Sequence, residues 1–479
     1  MAGFYVENFG CRATQADGAA IERQLIQKGL VRSEDAQSAE VVVLNTCTVT
    51  ASADQDVRNT IRRVHRENPE CKILVTGCYA QRAPQELASI AGVSWVVGNS
   101  HKHQIGEVAC GSTGFVGIER LSDPGVFVSD IFAHTELLAA PVFDADTASE
   151  KTRPNLKVQD GCNNRCSFCI IPSVRGRSRS LPVTDVIREV NGLVENGYRE
   201  IVISGINLGR WGRDLNSPTQ VQPKDWNGAP VRLRFAHLVR EILDRTALEK
   251  LRISSVEPMD WTDELIELVA TSSRIAKHAH VPMQSGSDRV LRLMHRKYRP
   301  WHYEDRVRRI RAAMPDAAVG ADVMVGFPGE TDADFEETRA FIEWLPMTYL
   351  HVFTFSARPG TPAAEMPGQV HPQVMKERNR VLRELAAKKK REFQQTFLGR
   401  ELQAITLTHF NGTHTECLTD NYQKLWLEGR WEANRWVRAR ILDIENDCLV
   451  GQNCSGHLEH LNASDLADLS SCSRSGSGD

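Results

Sequence analysis

Short apolar runs alternate with helical patterns along the first hundred residues, so this part of the chain is expected to form a parallel sheet flanked by helices. The predicted strands span 4–10, 41–47, 72–78 and 94–98, and the predicted helices between them span 19–30 and 55–68. Cys11, Cys47 and Cys78 each lie at or just beyond the C-terminal end of a predicted strand. Because ligands of open α/β sheets bind at those ends, we expect the three thiols to converge at one edge.

A second, longer α/β series begins at residue 154. Its predicted strands span 155–161, 200–206, 251–256, 277–282, 318–327 and 350–355. Thr184 and Thr331 are predicted to cap two of the intervening helices, and Asn196-Gly197 is predicted to end the first of them. Six strand–helix units favour a partial TIM-type barrel, with a doubly wound sheet as the alternative. Barrel chemistry occurs at the C-terminal strand ends, where the candidate residues are Cys162, Gly205, Glu257, Gln284 and Glu330.

The pattern changes after a basic helix predicted at 376–397, where short strand runs broken by turn residues indicate a small antiparallel β-barrel. The chain is therefore interpreted as an α/β protein with an added β-barrel. The predicted parts are an N-terminal domain (1–115), a linker (116–150), a partial-barrel domain (151–385), the small β-barrel (397–462) and a disordered tail (463–479).

The composition is that of an ordinary globular protein, with 479 residues, 41% hydrophobic content and a net charge of −3. Any nucleic-acid binding must therefore come from local basic patches. Without a signal peptide or an apolar run long enough to span a membrane, we expect a cytoplasmic protein with no membrane association. Thiols stay reduced in that compartment, so the twelve cysteines are interpreted as ligands or core residues rather than disulfides.

The segment QDGCNNRCSFCIIPSVRGR (159–177) holds three cysteines at the spacing Cys162-x₃-Cys166-x₂-Cys169. Zinc usually takes paired Cys-x₂-Cys ligands, and the next cysteine downstream is Cys417. A zinc site with a fourth ligand from the N-terminal part stays an alternative. A 4Fe-4S cluster on three thiolates is favoured, since it leaves one iron open to a small molecule.

Motifs along nearly the whole chain resemble those of one family. GCNNRCSFCIIPSVRGRSRS, ISSVEP, HVPMQSGSDRVLRLMHRKY, DVMVGFPGET and FSARPGTPA look like the methylthiotransferase branch of the radical S-adenosylmethionine (SAM) superfamily. NFGCRATQAD, LNTCTVTASAD and VTGCYAQ match the amino-terminal cluster domain of that family, and residues 397–462 resemble its RNA-binding TRAM barrel.

The resemblance implies two 4Fe-4S clusters. One, on Cys162, Cys166 and Cys169, would bind SAM at its open iron and cleave it with one electron to a 5′-deoxyadenosyl radical. The other, on Cys11, Cys47 and Cys78, would carry the sulfur that a second SAM methylates, so two SAM molecules are used per turnover. The implied partners are the tRNA anticodon loop and a one-electron donor such as flavodoxin or ferredoxin, and we expect a monomer.

Eight further residues are candidates for contact with the cofactor: Phe168, Arg175, Arg177, Gly205, Glu257, Gln284, Gly326 and Glu330. Most of them also have a simpler structural interpretation. Gly205 also suits an ordinary turn, Glu257 a structural ion pair, and Gly326 with Glu330 a rigid turn and helix cap. Arg175 and Arg177 lie beside the cysteines and are predicted to contact phosphate or the cofactor carboxylate, the alternative being solvated loop residues.

The residues around Cys47, NTCTVTASAD, most resemble the branch acting on threonylcarbamoyladenosine. This predicts methylthiolation at C2 of N6-threonylcarbamoyladenosine beside the tRNA anticodon. The alternatives are isopentenyladenosine of tRNA, a ribosomal-protein aspartate, and a zinc-stabilised RNA-binding protein without enzymatic activity. Thr14 stands where the family usually has Asn, which leaves the hydrogen bonding around Cys11 open.

The segment RWEANRWVRAR (430–440) interleaves tryptophans with arginines, as RNA-binding surfaces do. The candidate RNA-binding residues are Arg430, Arg435, Trp436, Arg438 and Arg440. The alternative is a barrel strand with its tryptophans inside and its arginines solvated. The helical arginine run at 306–311 is interpreted as a solvated face.

Overall fold

The computed structural model describes residues 2–111, 125–133, 152–216 and 232–454. These fall into two compact units, 1–390 and 391–479. Most of the predicted linker, and the predicted tail with Cys472, lie outside the described residues. No helix in the described ranges is both long and apolar enough to cross a membrane.

The N-terminal part is a six-stranded parallel sheet with the strand order β2-β1-β3-β4-β5-β6. Its elements are β1 (Gly3–Asn8), α1 (Arg12–Gln27), β2 (Val31–Arg32), β3 (Val41–Thr46), α2 (Ala51–Glu67), β4 (Lys72–Gly77), α3 (Cys78–Arg82), α4 (Pro84–Ala88), β5 (Val93–Gly98), α5 (Ile105–Ala109) and β6 (Gly125–Phe127). Central strand β3 is buried at every position, as its uninterrupted apolar run predicts. The strand order reverses between β1 and β3, which is where open α/β sheets bind their ligands.

The predicted linker contributes one strand to this sheet. β6 lies inside the 116–150 segment and pairs in parallel with β5, with Val96 opposite Val126. Val126 is buried in the apolar core on one side of the sheet. The linker predicted at 116–150 therefore includes a strand at residues 125–127, because the three residues GVF suffice to extend an existing sheet edge.

The second part is a row of six parallel strands in chain order, which confirms the partial barrel. Its elements are β7 (Asn155–Asp160), α6 (Ile171–Arg175), β8 (Arg179–Ser180), α7 (Val183–Glu195), β9 (Glu200–Gly205), α8 (Phe235–Arg245), β10 (Lys250–Ile253), α9 (Asp263–Thr271), β11 (His278–His280), α10 (Asp288–Leu293), α11 (Pro300–Ala313), β12 (Ala318–Val325), α12 (Asp332–Trp344), β13 (Tyr349–Thr354), α13 (Pro362–Glu365) and α14 (Pro372–Gln395). Parallel pairing runs β7-β9-β10 and β11-β12-β13, and bridges at Leu251–Ile275 and Ser255–His280 join the two groups. Short β8 pairs antiparallel to β7. A doubly wound sheet would reverse its strand order, and this one does not.

Apolar and polar side chains alternate along these six strands, so the two faces that the strands form differ in polarity. The residues facing the helices are apolar and form one core with α7, α8, α9, α11 and α12, for example Leu156, Val158, Ile201, Ile203, Leu251, Ile253, Ala279, Val319, Ala321, Val323 and Val352. The residues between them face the other way and are mostly polar: Lys157, Gln159, Glu200, Ser204, Arg252, His278, His280, Asp322, Tyr349 and His351. TIM barrels usually fill their interior with branched apolar side chains. A polar inner face is instead suited to a polar ligand.

One of the two predicted helix caps is correct. Thr331 caps α12 by accepting a hydrogen bond from Asp334 N at 3.2 Å. The Asp334 side chain accepts from Thr331 N in turn, which completes a capping box. Thr184 caps nothing, since α7 already begins at Val183 and the carbonyl of Pro182 accepts from Asp185 N and Val186 N. The proline before the helix supplies the extended turn that the threonine was expected to provide.

Residues beyond the basic helix form a closed five-stranded barrel, which confirms the predicted β-barrel except that one of its strand pairs is parallel and not antiparallel. Its strands are β14 (Glu401–Phe410), β15 (His414–Thr419), β16 (Lys424–Glu428), β17 (Trp436–Glu445) and β18 (Cys448–Asn453), in the order β14-β15-β16-β18-β17. Ala404, Leu425, Ala439, Ile441 and Leu449 are fully buried in its interior. This closed sheet is called the terminal barrel below.

Candidate metal centres

Cys162, Cys166 and Cys169, here called the loop trio, lie in the loop that follows β7. Cys162 N at the start of the loop donates a hydrogen bond to Gly176 O at 3.1 Å. Within the loop, Cys169 N donates to Cys166 O at 3.2 Å and closes a turn. All three thiols are partly buried. The trio thus occupies the C-terminal end of the first strand of the partial barrel, the end at which such folds carry their chemistry.

Three N–H groups donate to sulfur atoms of the loop trio. Asn164 N and Asn207 Nδ2 lie 3.4 and 3.5 Å from Cys162 Sγ. Arg296 Nη1 lies 3.2 Å from Cys166 Sγ. Hydrogen bonds to sulfur stabilise thiolates and tune iron–sulfur centres, so the donor set fits an iron–sulfur cluster. Asn207 and Arg296 were not singled out in the sequence, although Asn207 lies two residues beyond Gly205 and Arg296 lies within the HRKY motif.

Cys11, Cys47 and Cys78, here called the sheet trio, follow the adjacent strands β1, β3 and β4. Gly10 adopts a φ of +97°, and a Cβ built there would lie only 2.6 Å from Cys47 Cβ. Glycine therefore allows the Cys11 loop to approach Cys47. Thr14 Oγ1 lies 3.6 Å from Cys11 Sγ and Asn99 Nδ2 lies 3.6 Å from Cys78 Sγ. Thr14, which departs from the usual Asn, thus still presents a polar group to the sulfur.

The two trios lie on adjoining surfaces of the same compact unit. Cys78 packs against Ile170 and Val174, which follow the last cysteine of the loop trio. Asn99 connects the two sides, since its Nδ2 contacts Cys78 Sγ and donates to Val174 O at 2.8 Å. The sheet therefore presents its cysteines towards the partial barrel.

Burial disfavours the thiolate form of one cysteine in each trio. Burial raises the pKa of Cys47 and of Cys169 to about 12. Metal binding would have to displace these protons. In the described ranges, no three His, Cys, Asp or Glu side chains are placed to hold a single metal ion. Ligands of a 4Fe-4S cluster each bind a different iron, so they are spaced more widely than those of one ion.

Glu257, Gly205 and Phe168 lie around the loop trio. Glu257 pairs with Arg296, the residue that donates to Cys166 Sγ. A Cβ on Gly205 would lie 2.9 Å from the side chain of Gln159, whose Oε1 accepts from Asn207 N at 2.7 Å. Phe168 packs edge-on against Phe327 at 6.4 Å.

The other predicted cofactor residues lie in structural contacts or at the surface. Glu330 pairs with Arg378 and accepts from Gly326 N at 3.1 Å, and Gly326 lies against Met375. Gln284 adopts a φ of +66° and bridges to Val323 through its backbone. Arg177 is exposed.

Arg175 differs most from its predicted contact with the cofactor. It is 2% exposed and its guanidinium is bound by Asp160 and Asp17. The proximity of Arg175 to the cysteines in the sequence predicts contact with phosphate or the cofactor carboxylate. Its side chain instead turns into the junction between the sheet and the partial barrel, because two buried carboxylates are there to bind it.

The inner face of the partial barrel carries a polar patch, here defined as Ser255, His280, Asp322, Tyr349 and His351. Ser255 Oγ lies 2.7 Å from His280 Nδ1. His280 Nε2, 3.4 Å from Asp322 Oδ1, makes no hydrogen bond within the described part of the chain although His280 is only 7% exposed. The rings of His280 and His351 lie 5.7 Å apart. His351 is exposed, so this part of the inner face is open to a ligand.

Three of the candidate RNA-binding residues share the outward face of β17. Val437, Ala439 and Ile441 are buried, whereas Arg438 and Arg440 are exposed and Trp436 is half-buried. Arg440 pairs with Glu401 and Arg435 pairs with Glu432, both across exposed surface. Arg430 lies over the Phe410 ring at 5.7 Å. Trp436 therefore lies on the outer face beside the arginines and not inside the barrel, as the alternative expects, while RNA binding by these residues stays a prediction.

Family models match two parts of the chain, the Uncharacterized protein family UPF0004 over residues 3–98 and the Radical SAM superfamily over residues 156–342. The chain is 37% identical over 437 residues to Threonylcarbamoyladenosine tRNA methylthiotransferase MtaB of Aquifex aeolicus, covering 91% of this chain and 99% of that protein. Identity to the protein of the same name in Bacillus subtilis is 38% over 451 residues, with coverage of 92% and 94%.

A tRNA-2-methylthio-N(6)-dimethylallyladenosine synthase of a Mycobacterium species is 34% identical over 413 residues, covering 85% of this chain and 76% of that protein. Among solved structures, the radical S-adenosylmethionine methyltransferase TsrM of Kitasatospora setae is similar with a TM-score of 0.53. Its identity is 15%, with 76% of this chain and 77% of that chain covered. That likeness shows a common fold alone.

Proposed function

Since the chain belongs to the tRNA methylthiotransferases of the radical SAM superfamily, we propose that its substrate is N6-threonylcarbamoyladenosine beside the tRNA anticodon. The product would be the 2-methylthio form of that nucleoside. Membership of the superfamily brings a 4Fe-4S cluster and SAM as cofactors.

We assign the loop trio as the ligands of the cluster that binds SAM and the sheet trio as the ligands of a second 4Fe-4S cluster. When bound, these groups supply the electron and the sulfur of the reaction. The chain itself supplies N–H donors to the sulfur atoms from Asn164, Asn207 and Arg296. Glu257 holds Arg296 in place from the other side. Cys47 and Cys78 of the sheet trio are buried, the loop trio is partly buried, and Cys11 is exposed.

The observation that carries the choice of substrate is the polar patch on the inner face of the partial barrel. A threonylcarbamoyl group has a carboxylate, a hydroxyl and a carbamoyl to be recognised, whereas an isopentenyl group is a hydrocarbon. A site for a hydrocarbon is lined by apolar side chains, because burying unpaired polar groups is costly. Ser255, His280, Asp322, Tyr349 and His351 supply hydrogen-bonding groups instead, and His280 Nε2 has its hydrogen-bonding capacity unused within the described chain.

Arg12 adds a positive charge on this side of the barrel. Its carbonyl accepts from Asn155 Nδ2 at 2.7 Å, which ties the residue after Cys11 to the first strand of the partial barrel. Burial lowers the pKa of His278 and of His351, and the charge of Arg12 lowers both further. A cation near neutral histidines suits the carboxylate of the threonyl group. Relatives at 35–38% identity named as threonylcarbamoyladenosine enzymes also support this choice.

The proposal is tested on tRNA nucleosides by mass spectrometry. Cells lacking this protein are expected to lose 2-methylthio-N6-threonylcarbamoyladenosine and to keep the methylthio form of isopentenyladenosine. Purified enzyme should methylthiolate tRNA carrying the threonylcarbamoyl group and leave tRNA carrying the isopentenyl group unchanged. The reverse preference would overturn the proposal.

A matched pair of variants tests the role of the inner face. Arg12→Gln is expected to raise KM for the threonylcarbamoyl tRNA about tenfold, which corresponds to roughly 1.4 kcal/mol of lost charge-assisted hydrogen bonding. Arg23→Gln, on the same helix α1, is expected to leave KM unchanged. Equal KM values for the two variants would remove Arg12 from substrate recognition.

A further inference from the structure

Five charged side chains are buried together at the junction between the N-terminal sheet and the partial barrel. This charge pentad consists of Asp17, Lys102, Lys157, Asp160 and Arg175, each 7% exposed or less. Lys102 Nζ lies 2.9 Å from Asp17 Oδ2, and Lys157 Nζ binds Asp17 and also Asp160 at 2.8 Å. Arg175 joins both carboxylates, at 2.9 Å to Asp17 and 3.0 Å to Asp160.

The pentad draws its members from both sides of the junction. Asp17 lies in α1 and Lys102 in a short 3₁₀ helix (Asn99–Gln104) of the N-terminal part. Lys157 and Asp160 lie in β7 and Arg175 ends α6, all in the partial barrel. Burying so many charges is expensive unless they are fully paired. A simpler apolar contact would hold two surfaces together at lower cost, so the charges call for a further reason.

The pentad carries one unit of positive charge in excess, from three cations and two carboxylates. Although burial opposes ionisation, the surrounding cations hold the pKa of Asp17 and of Asp160 well below the usual range. Against the effect of burial, the neighbouring carboxylates raise the pKa of Arg175 and of Lys157. Burial lowers the pKa of Lys102, which its ion pair with Asp17 counteracts. Each of the two buried carboxylates is thus paired with at least two cations.

The excess charge lies directly behind the sheet trio. Val174, next to Arg175, packs against Cys78, and its carbonyl accepts from the same Asn99 amide that contacts Cys78 Sγ. Arg175 interacts electrostatically with Cys11, Cys47 and Cys78, and Lys102 interacts with Cys78. Arg175 Nε has no hydrogen-bond partner among the described residues although it is buried.

We propose that the charge pentad is the counter-charge of an iron–sulfur cluster bound by the sheet trio. This inference rests on the proposed ligation of a cluster by Cys11, Cys47 and Cys78. Three thiolates leave an oxidised 4Fe-4S core with a net negative charge, and reduction adds another. Reduction potentials follow the net charge around a cluster, so the excess cation of the pentad raises the potential of the cluster on the sheet trio. The cation beside the loop trio, Arg296, forms an ion pair with Glu257, so this pair adds no excess positive charge next to that trio.

The test is a redox titration, monitored by electron paramagnetic resonance, of the full chain reconstituted anaerobically. Cys162, Cys166 and Cys169 are all replaced by Ala, so that only the sheet trio can hold a cluster. In this background Arg175→Met is expected to lower the ratio of reduced to oxidised cluster at a fixed potential at least tenfold, which is about 59 mV for a one-electron couple. Asp160→Asn, which removes a negative charge, is expected to shift the potential in the opposite direction.

Two variants serve as controls. Arg175→Lys keeps the charge and is expected to keep most of the potential, and Arg188→Met removes an exposed arginine of α7 and should change nothing. If Arg175→Met does not fold, Lys102→Met removes one positive charge from the other side of the junction and should lower the potential. If the protein without the loop-trio cysteines binds about four irons per chain but its reduction potential does not change in the pentad variants, the proposed counter-charge is wrong and the proposed ligation stands. A background that binds no iron would overturn the proposed ligation, and the counter-charge with it.

Discussion

Arg296 is the buried residue that connects the loop trio to the rest of the partial barrel. It donates to Cys166 Sγ at 3.2 Å and pairs with Glu257, and its guanidinium lies 4.9 Å from the Tyr298 ring centroid. Arg296→Met would leave the half-buried Glu257 without its cation and Cys166 Sγ without its hydrogen-bond donor. We expect the iron content of reconstituted protein to fall from about eight to about four atoms per chain, with loss of SAM cleavage.

The matched control is Arg292→Met, four residues earlier in the HVPMQSGSDRVLRLMHRKY motif. Arg292 is exposed and pairs with Asp288 across the surface, and such pairs contribute little. Iron content and SAM cleavage should stay at the wild-type level in this variant. If Arg296→Met also kept both, hydrogen bonding to Cys166 would have no part in holding the cluster.

The ease of predicting a residue from sequence depends on how it is brought to the site. The spacing Cys162-x₃-Cys166-x₂-Cys169 lies within one loop and is visible directly. Asn207 and Arg296 reach the same sulfur atoms from distant segments, and an isolated Asn or Arg has no spacing to reveal it. The ion pairs of Arg175 are hidden for the same reason, since its partner Asp17 lies 158 positions away in the chain.

At the scale of elements, strand β17 presents Trp436, Arg438 and Arg440 on one face. Within the described part of the terminal barrel no carboxylate pairs with Arg438, whereas Arg440 pairs with Glu401. If this face contacts tRNA phosphates, Arg438→Gln should weaken tRNA binding and reduce the slope of log K against log salt by about 0.7–1. Fluorescence titration of tRNA at several salt concentrations measures both.

Arg309→Gln is the control for that experiment. Arg309 lies on α11 within the 306–311 run and is also exposed, but it pairs with Asp305 and Asp263. Its replacement should leave the salt slope unchanged. Equal slopes for the Arg438 and Arg309 variants would show that β17 does not contact phosphate.

Elements were predictable where a local pattern determines them and less so where neighbours do. The longer strands of the two α/β parts have an apolar run that their sequence displays, whereas the two-residue strands β2 and β8 do not. Thr331 caps α12 through a capping box with Asp334, which lies within four residues. Thr184 looks equally suitable, but the carbonyl of Pro182 already serves the start of α7. β6 became a strand only because the edge of β5 was available to pair with it. The polar inner face of the partial barrel follows from the alternation of polar and apolar residues along its strands. The sequence does not show which of the two faces the helices cover, so it does not identify the polar face as the inner one.

At the scale of the whole molecule, the two trios lie on two surfaces of a single compact unit, and in the proposed function each serves a different step of one reaction. The sheet trio follows strands of the N-terminal sheet at the place where the strand order reverses. The loop trio follows β7, the first strand of the partial barrel. Neither trio shares a ligand with the other. Each cluster should therefore assemble without the other, and the loss of one should affect only the step that it serves.

Cys47→Ala tests this division of labour. Cys47 belongs to the sheet trio, so its replacement is expected to halve the iron content to about four atoms per chain. SAM cleavage to 5′-deoxyadenosine should continue in this variant, while formation of methylthiolated tRNA should stop. Cys71→Ala, another buried cysteine of the same sheet with no part in either trio, should retain both activities. Chromatographic measurement of 5′-deoxyadenosine and mass spectrometry of the tRNA product separate the two steps, and full product from the Cys47 variant would exclude the sheet trio from sulfur transfer.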